Sequence, residues 1–253
     1  MNGDFLALLP PTPLVPGAAS TGGPPAKATT LEATTVFAFH CAEGVIVAGD
    51  HRATAGNVVF SDRTEKILEL DAHSLMAIAG SPAVAFEMAR TLQTTFEFYR
   101  RSQLQPMSIG AKLRALSRLL RENLPGTLQG FGVVAPLFAG VDSATGQPAI
   151  YYYDPLGAQF EAAAYAGSGS GSGSVKSVLH FLEQWGPKPA EMDLAQAVML
   201  ANRLLMTAAE FDTATGGVDP TRGDFATIKL LHRDGIRTVS RAEQTQFWPE
   251  ATR

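Results

Sequence analysis

A threonine doublet, Thr34-Thr35, follows a leader rich in proline, glycine, alanine and threonine, and it begins a strand-like run. Six prolines lie within residues 10–25, a composition that favours an extended or disordered terminus over a packed segment. If the chain is cut after Ala33, Thr34 gains a free α-amine beside its own hydroxyl. A nucleophile and a base in one residue can perform hydrolysis, so the doublet indicates a hydrolase that is made as a precursor.

Charged residues at two later places could complete such a site. Asp50 and Arg52 follow the next apolar run, and Lys66 precedes another. An unperturbed α-amine has a pKa of about 7.7–8.0, which suits base catalysis near neutral pH better than a lysine at about 10.4. Taken singly, these residues could equally be a strand threonine, a surface ion pair and a solvated lysine, so only their order and combination carry weight.

Size and charge restrict the classes of partner. The chain has 253 residues, 45% of them hydrophobic, which suits one large α/β sandwich domain with a tail at each end. The formal charge is −4 and no basic block is present, so we expect neither nucleic acid nor an anionic membrane as partner. The sequence contains no run of about 20 apolar residues, so it does not predict a membrane-spanning helix.

The sequence gives no sign of a metal or cofactor. A single cysteine, Cys41, excludes an internal disulfide and a thiolate cluster, and it fits a reducing cytoplasm. The five histidines have no ligand spacing. We therefore expect a cytoplasmic protein without metal or cofactor.

Hydrophobic periodicity predicts strands and helices in blocks rather than in alternation. The expected strands are 34–39, 45–48, 67–70, 75–79, 133–139, 149–153, 225–232 and 236–239. The expected helices are 85–99, 109–120, 175–185 and 193–210. Paired helices between groups of strands predict stacked antiparallel sheets with helices on both outer faces. The Gly-Ser run 167–174 could be a flexible linker or a glycine-rich turn from strand to helix.

Taken in order, these segments resemble the β subunit of the prokaryotic proteasome core particle, an N-terminal-nucleophile hydrolase. The resemblance extends from Thr34 to about Val239 and is closest to the type that works with a dedicated unfoldase ring. It implies an α+β fold, a four-layer αββα sandwich. It rests on the Thr-Thr start and on residues 47–54, 65–66, 78–80, 129–130, 136–140, 167–174 and 212–217.

By this resemblance, Thr34 is the nucleophile, exposed by cleavage between Ala33 and Thr34. Lys66 corresponds to the site lysine, which favours the neutral amine and the developing alkoxide, and Asp50 to the carboxylate that orients it. Arg52 matches a structural arginine of the same loop.

The resemblance also implies residues that support the terminal amine and the substrate. Asp212 and Thr215 lie in the supporting motif together with one serine of the Gly-Ser run, and spacing favours Ser170 over Ser168 or Ser172.

The Gly80 N–H is expected to stabilise the oxyanion, a role that requires close backbone approach. Ala53, Thr54, Ile78 and Ala79 are expected to bind substrate in a pocket with an apolar lining.

The implied function is that of a threonine endopeptidase subunit, with β rings stacked inside α rings, each of seven subunits. An ATP-dependent unfoldase ring would supply unfolded protein. We expect residues 1–33 to be a cleaved propeptide, 34–240 the catalytic domain and 241–253 a tail. One alternative is the peptidase of the two-ring bacterial ATP-dependent protease, which typically carries Gly-Gln in place of His51-Arg52. The other is a silent ring subunit that serves assembly alone.

Overall fold

The computed structural model describes residues 31–55, 58–130 and 132–248. Most of the expected leader, residues 1–30, lies outside this range. The strands are β1 (Leu31–Ala33), β2 (Thr35–Cys41), β3 (Gly44–Gly49), β4 (Ala53–Ala55), β5 (Val58–Ser61), β6 (Ile67–Asp71), β7 (Ser74–Ala77), β8 (Leu137–Val141), β9 (Pro148–Tyr153), β10 (Gln159–Ala162), β11 (Tyr165–Gly169), β12 (Thr227–His232) and β13 (Gly235–Thr238). The α-helices are α1 (Pro82–Gln103), α2 (Ile109–Glu122), α3 (Leu124–Leu128), α4 (Ser172–Trp185), α5 (Leu194–Phe211) and α6 (Arg241–Phe247).

Two antiparallel sheets of five strands each form the centre of the molecule. Their orders are β11-β2-β3-β12-β13 and β10-β9-β8-β7-β6. A small third sheet has the order β1-β4-β5. In the first sheet, β2 pairs with β3 on one side and with β11 on the other, so the start of β2 lies beside the end of β3 and the end of β11.

Alternating side chains of β2 enter two different cores, which explains why this strand reads as a continuous apolar run. Phe37 and Phe39 pack against α4 and α5, whereas Val36 and Ala38 face the second sheet. A third core, which includes Met76 and Phe138, lies between the second sheet and helices α1 and α2. Three cores between four layers confirm the predicted αββα sandwich.

Several local expectations differ from the structure. The Gly-Ser run is the end of β11, a two-residue turn and the start of α4, so it is a strand-to-helix turn and not a linker. The strand expected at 133–139 begins only at Leu137. Strands β1, β4, β5, β10 and β11 were not expected, because they are short and lack a clear apolar alternation.

The C-terminal segment expected to be a tail contains α6, which is packed against the domain. Ser240 and Glu243 form a capping box at its start. Gln244 is buried, and its amide donates to the carbonyls of Ala226 and Val239 at 3.1 and 3.3 Å. No helix among the described residues is long and apolar enough to cross a membrane.

Candidate active site

A buried ion pair lies where β3 ends and β6 begins. The Lys66 ammonium donates to Asp50 Oδ1 at 2.7 Å, and both side chains are almost completely buried. Lys66 also donates to the Arg52 carbonyl. Burial lowers the pKa of Lys66, and the Asp50 carboxylate opposes that shift without cancelling it. The lysine is therefore a cation that releases its proton more readily than an ordinary lysine.

Asp50 gathers main-chain donors from separate parts of the chain. Its Oδ1 accepts from the Thr35 N–H at 3.0 Å in addition to Lys66. Its Oδ2 accepts from the N–H groups of Arg52 at 3.0 Å and Gly216 at 2.8 Å. Backbone donors on both oxygens fix the carboxylate and reduce the cost of burying its charge.

Thr34 lies between β1 and β2 and is 5% exposed. It is joined to Ala33, so its nitrogen is an amide in this form of the chain. Its carbonyl accepts from the Ser170 N–H at 3.1 Å. Gly169, with φ at +95°, lies so close that an added Cβ would be 1.7 Å from that carbonyl oxygen. The backbone of the Gly-Ser turn therefore packs directly on the predicted nucleophile, and only glycine fits at residue 169.

A second carboxylate, Asp212, lies at the end of α5. Its Oδ2 accepts from the hydroxyls of Ser170 and Thr215, each at 2.6 Å. Partial burial acts to raise the pKa of Asp212, but these hydroxyls, the Ala214 N–H and the Lys66 charge hold it below the usual value. The structure thus brings together three of the predicted site residues, with Ser170 and Thr215 both bonded to the Asp212 carboxylate.

The other two serines of the run lie elsewhere. Ser168 donates to the Ala135 carbonyl at 2.6 Å, and Ser172 begins α4, where it is buried. The serine hydroxyl that donates to Asp212 therefore belongs to Ser170, the serine that the spacing favoured.

Arg52 connects the two halves of the site. Its guanidinium donates to the carbonyls of Thr213 and Thr215 at 3.2 and 3.4 Å and pairs with Asp62 at 3.0 Å. Because Thr213 and Thr215 follow Asp212, this arginine holds the Asp212 loop against the Asp50 loop.

Gly80 has a φ of +102°, which favours glycine. An added Cβ would be 2.0 Å from the Val133 carbonyl oxygen. The neighbouring Ser81 N–H donates to that carbonyl at 2.7 Å, and the Ala135 N–H donates to Ala79 at 2.9 Å. Across the described ranges, the Gly80 N–H itself has no acceptor. The glycine is therefore held on both sides through the bonds of its neighbours Ala79 and Ser81.

The four expected substrate-binding residues are all buried, each at most 5% exposed. Ile78 packs in the core beneath α1 and α2, whereas Ala79 packs between the two sheets. These two side chains therefore enter different cores. Ala53 and Thr54 belong to β4, and Thr54 pairs with Ala33 in β1.

Sequence reasoning did not assign Thr35 or Gly216 to the site, although both donate to Asp50. The available signal was their position inside motifs already singled out, the threonine doublet and the 212–217 segment. Within the described residues, no group of three or more histidine, cysteine, aspartate and glutamate side chains could hold a metal ion.

Comparisons with known proteins show which family this chain resembles. The family model described as proteasome subunit matches residues 30–219. A proteasome subunit beta of Acidimicrobium ferrooxidans is 37% identical over 209 residues, covering 83% of this chain and 74% of the relative. A proteasome subunit beta of Jonesia denitrificans is 36% identical over 240 residues, covering 95% and 77%. A proteasome subunit beta 2 of Thermomonospora curvata is 38% identical over 214 residues, covering 85% and 74%.

Proposed function

Because this chain belongs to the proteasome subunit family, as a β-type subunit of the prokaryotic core particle, we propose that it is a threonine-type endopeptidase whose nucleophile is Thr34. Membership of this family means that the chain is a peptidase subunit that assembles with other proteasome subunits in rings. One observation carries the finer proposal. Lys66 and the N–H of Thr35 meet at Asp50 Oδ1, directly beside Thr34.

Cleavage of the Ala33–Thr34 bond would activate the enzyme. The Thr34 hydroxyl attacks the Ala33 carbonyl carbon, and the peptide nitrogen leaves as the α-amine of Thr34, giving an ester. Water hydrolyses the ester, so residues 1–33 depart with a new carboxylate and Thr34 regains its hydroxyl. The same hydroxyl serves both maturation and turnover.

In turnover, the α-amine of Thr34 takes the hydroxyl proton as the oxygen attacks the substrate carbonyl. In this proposal the oxyanion accepts from the Gly80 N–H; the bonds that hold the flanking residues of Gly80 support this role. The protonated amine then gives its proton to the leaving nitrogen, and water hydrolyses the acyl ester. The Lys66 cation favours the neutral amine and the alkoxide, while Asp50 holds that cation in place.

The larger assembly is proposed from the family. We expect β rings of seven subunits stacked inside α rings, an ATP-dependent unfoldase ring as partner, unfolded proteins as substrates and a cytoplasmic location. The relatives carry the name proteasome subunit beta, which favours this assembly over the two-ring bacterial protease. The retained Lys66–Asp50 pair favours an active subunit over a silent one.

The test uses the full chain coexpressed with its α-type partner. Intact-mass analysis of the wild-type particles should show that residues 1–33 have been lost. A peptide with an electrophilic group should add covalently to Thr34. Thr34→Ala should assemble, keep its leader and lose all hydrolysis, whereas Thr34→Ser should keep partial activity because the hydroxyl remains.

Thr95→Ala is the matched control, since Thr95 lies exposed on α1 and its hydroxyl donates to the Thr91 carbonyl within its own helix. It should behave as wild type. Hydrolysis that persists in Thr34→Ala, or an adduct at another residue, would remove the proposal and favour a subunit that serves assembly alone.

A further inference from the structure

Thr35, the second threonine of the doublet, is completely buried. It bonds directly to Asp50, and Thr215 links it to Asp212. Its N–H donates to Asp50 Oδ1 at 3.0 Å, and its carbonyl accepts from the Asp50 N–H at 3.2 Å. Its hydroxyl accepts from the Gly171 N–H at 3.1 Å and lies 2.5 Å from the Thr215 hydroxyl. A strand residue needs none of these side-chain bonds in order to pair in its sheet.

The direction of the hydroxyl bonds follows from the available protons. Ser170 and Thr215 each donate to Asp212 Oδ2, because an ionised carboxylate only accepts. A hydroxyl carries one proton, so Thr215 has none left for Thr35. The 2.5 Å contact is therefore a bond that Thr35 donates to Thr215. The result is an ordered chain from Thr35 through Thr215 to Asp212.

We infer that Thr35 is a positioning residue for catalysis, which aligns the new amino terminus of Thr34 with both the Lys66–Asp50 pair and the Asp212 cluster. This inference rests on the proposed function. After cleavage, Thr34 is held by its peptide bond to Thr35 and by the bond from Ser170 to its carbonyl. A displacement of Thr35 passes directly to the amine and hydroxyl of Thr34, and small misplacements of reacting groups are costly.

The test compares Thr35→Val, which keeps the branched shape but removes the donor, with Thr35→Ser, which keeps the donor. In assembled particles, Thr35→Val should lower kcat roughly tenfold or more while KM stays within about twofold, as expected for lost alignment. Thr35→Ser should recover kcat to within about threefold of wild type. A smaller loss in Thr35→Val, or an equal loss in Thr35→Ser, would overturn the inference.

If Thr35→Val assembles but keeps its leader, the rate of leader loss followed by intact mass replaces kcat, since both reactions use one hydroxyl. A double variant provides a second measurement. If Thr35 acts through Thr215, then the kcat of Thr35→Val combined with Thr215→Val should be no lower than that of Thr215→Val alone. Losses that multiply would show that the two hydroxyls act independently and would contradict the ordered chain.

Ser74→Ala is the control for loss of a buried hydroxyl. Ser74 is fully buried, and its hydroxyl donates to the Asp71 carboxylate at 2.6 Å, away from Thr34. This variant should lower the melting temperature and leave kcat unchanged. Thr34→Ala separates the two proposals: activity in Thr34→Ala defeats the proposed function, whereas inactive Thr34→Ala with full kcat in Thr35→Val defeats only the role of Thr35.

Discussion

Within the part of the chain that the structure describes, two buried lysines each pair with an aspartate, and the surroundings of these two pairs differ. Lys66 lies 2.7 Å from Asp50 where β6 begins, and Lys112 of α2 lies 2.5 Å from Asp71 where β6 ends. The Asp50 side chain has no exposed surface, whereas that of Asp71 is 28% exposed. Similar charge pairs thus occupy the two ends of one strand.

The remaining contacts of each aspartate distinguish the pairs. Asp71 accepts from the N–H of His73 and the hydroxyl of Ser74, both within its own turn. Asp50 accepts from Thr35 and Gly216, which are distant from it in sequence. The Lys112–Asp71 pair therefore fastens a helix to a turn, and the Lys66–Asp50 pair aligns separate segments. A buried ion pair becomes a candidate for catalysis through what else it holds, since burial alone occurs in both.

The largest predicted difference is in activity. Lys66→Met should reduce kcat/KM by roughly a thousandfold or more and block leader removal, because the cation that favours the neutral amine is gone. Lys66→Arg should not restore activity, since guanidinium has a different shape and a permanent charge. Peptide hydrolysis and intact mass provide the measurement. Near wild-type turnover in Lys66→Met would show that the two pairs do not differ in kind.

The matched change at the other pair should affect stability instead. Lys112→Met should leave kcat/KM within about twofold but destabilise the chain by ~2 kcal/mol, since it leaves a partly buried carboxylate without its cation. Chemical denaturation and peptide hydrolysis measure the two effects separately. The comparison fails if Lys112→Met loses activity while its stability is unchanged.

A smaller effect concerns pH. Burial acts to raise the pKa of Asp71, but bonds from Lys112 and Ser74 and the Lys112 charge bring it below the ordinary 3.8. A carboxyl with a lowered folded-state pKa stabilises the fold above its unfolded pKa and loses that contribution as pH falls through the folded value. The stability difference between wild type and Lys112→Met should thus be full above about pH 4 and shrink below it. A difference that stays constant into stronger acid would exclude this linkage.

The two pairs also differ in how far the sequence could predict them. Lys66 could be selected because it follows the Thr-Thr start and the Asp50 loop in a family order. Lys112 has no such context, since a lysine in an amphipathic helix usually faces solvent. Asp71 and Lys112 come together because α2 packs on the second sheet, and no local sequence pattern predicts that packing.

The fold was more predictable than the site contacts. Long helices such as α1 and α5 carry a clear 3.6-residue period, and the four layers follow from their grouping. Strand β11 was missed because its glycine and serine residues have low strand propensity, and its pairing with β2 supplies the stability instead. The Thr35–Thr215 contact joins residues that the sequence separates by 180 positions, so it depends on tertiary packing.

The pairing of β1 with β4 also affects when the leader can be removed safely. If residues 1–33 are removed as proposed, β4 loses a strand partner and becomes an edge with unpaired main-chain groups. Beside it, β5 already exposes Val58, Val59 and Phe60. An open edge next to exposed apolar side chains promotes aggregation through strand addition. A subunit cleaved before it is enclosed by neighbours would be the less soluble species, so solubility favours late cleavage.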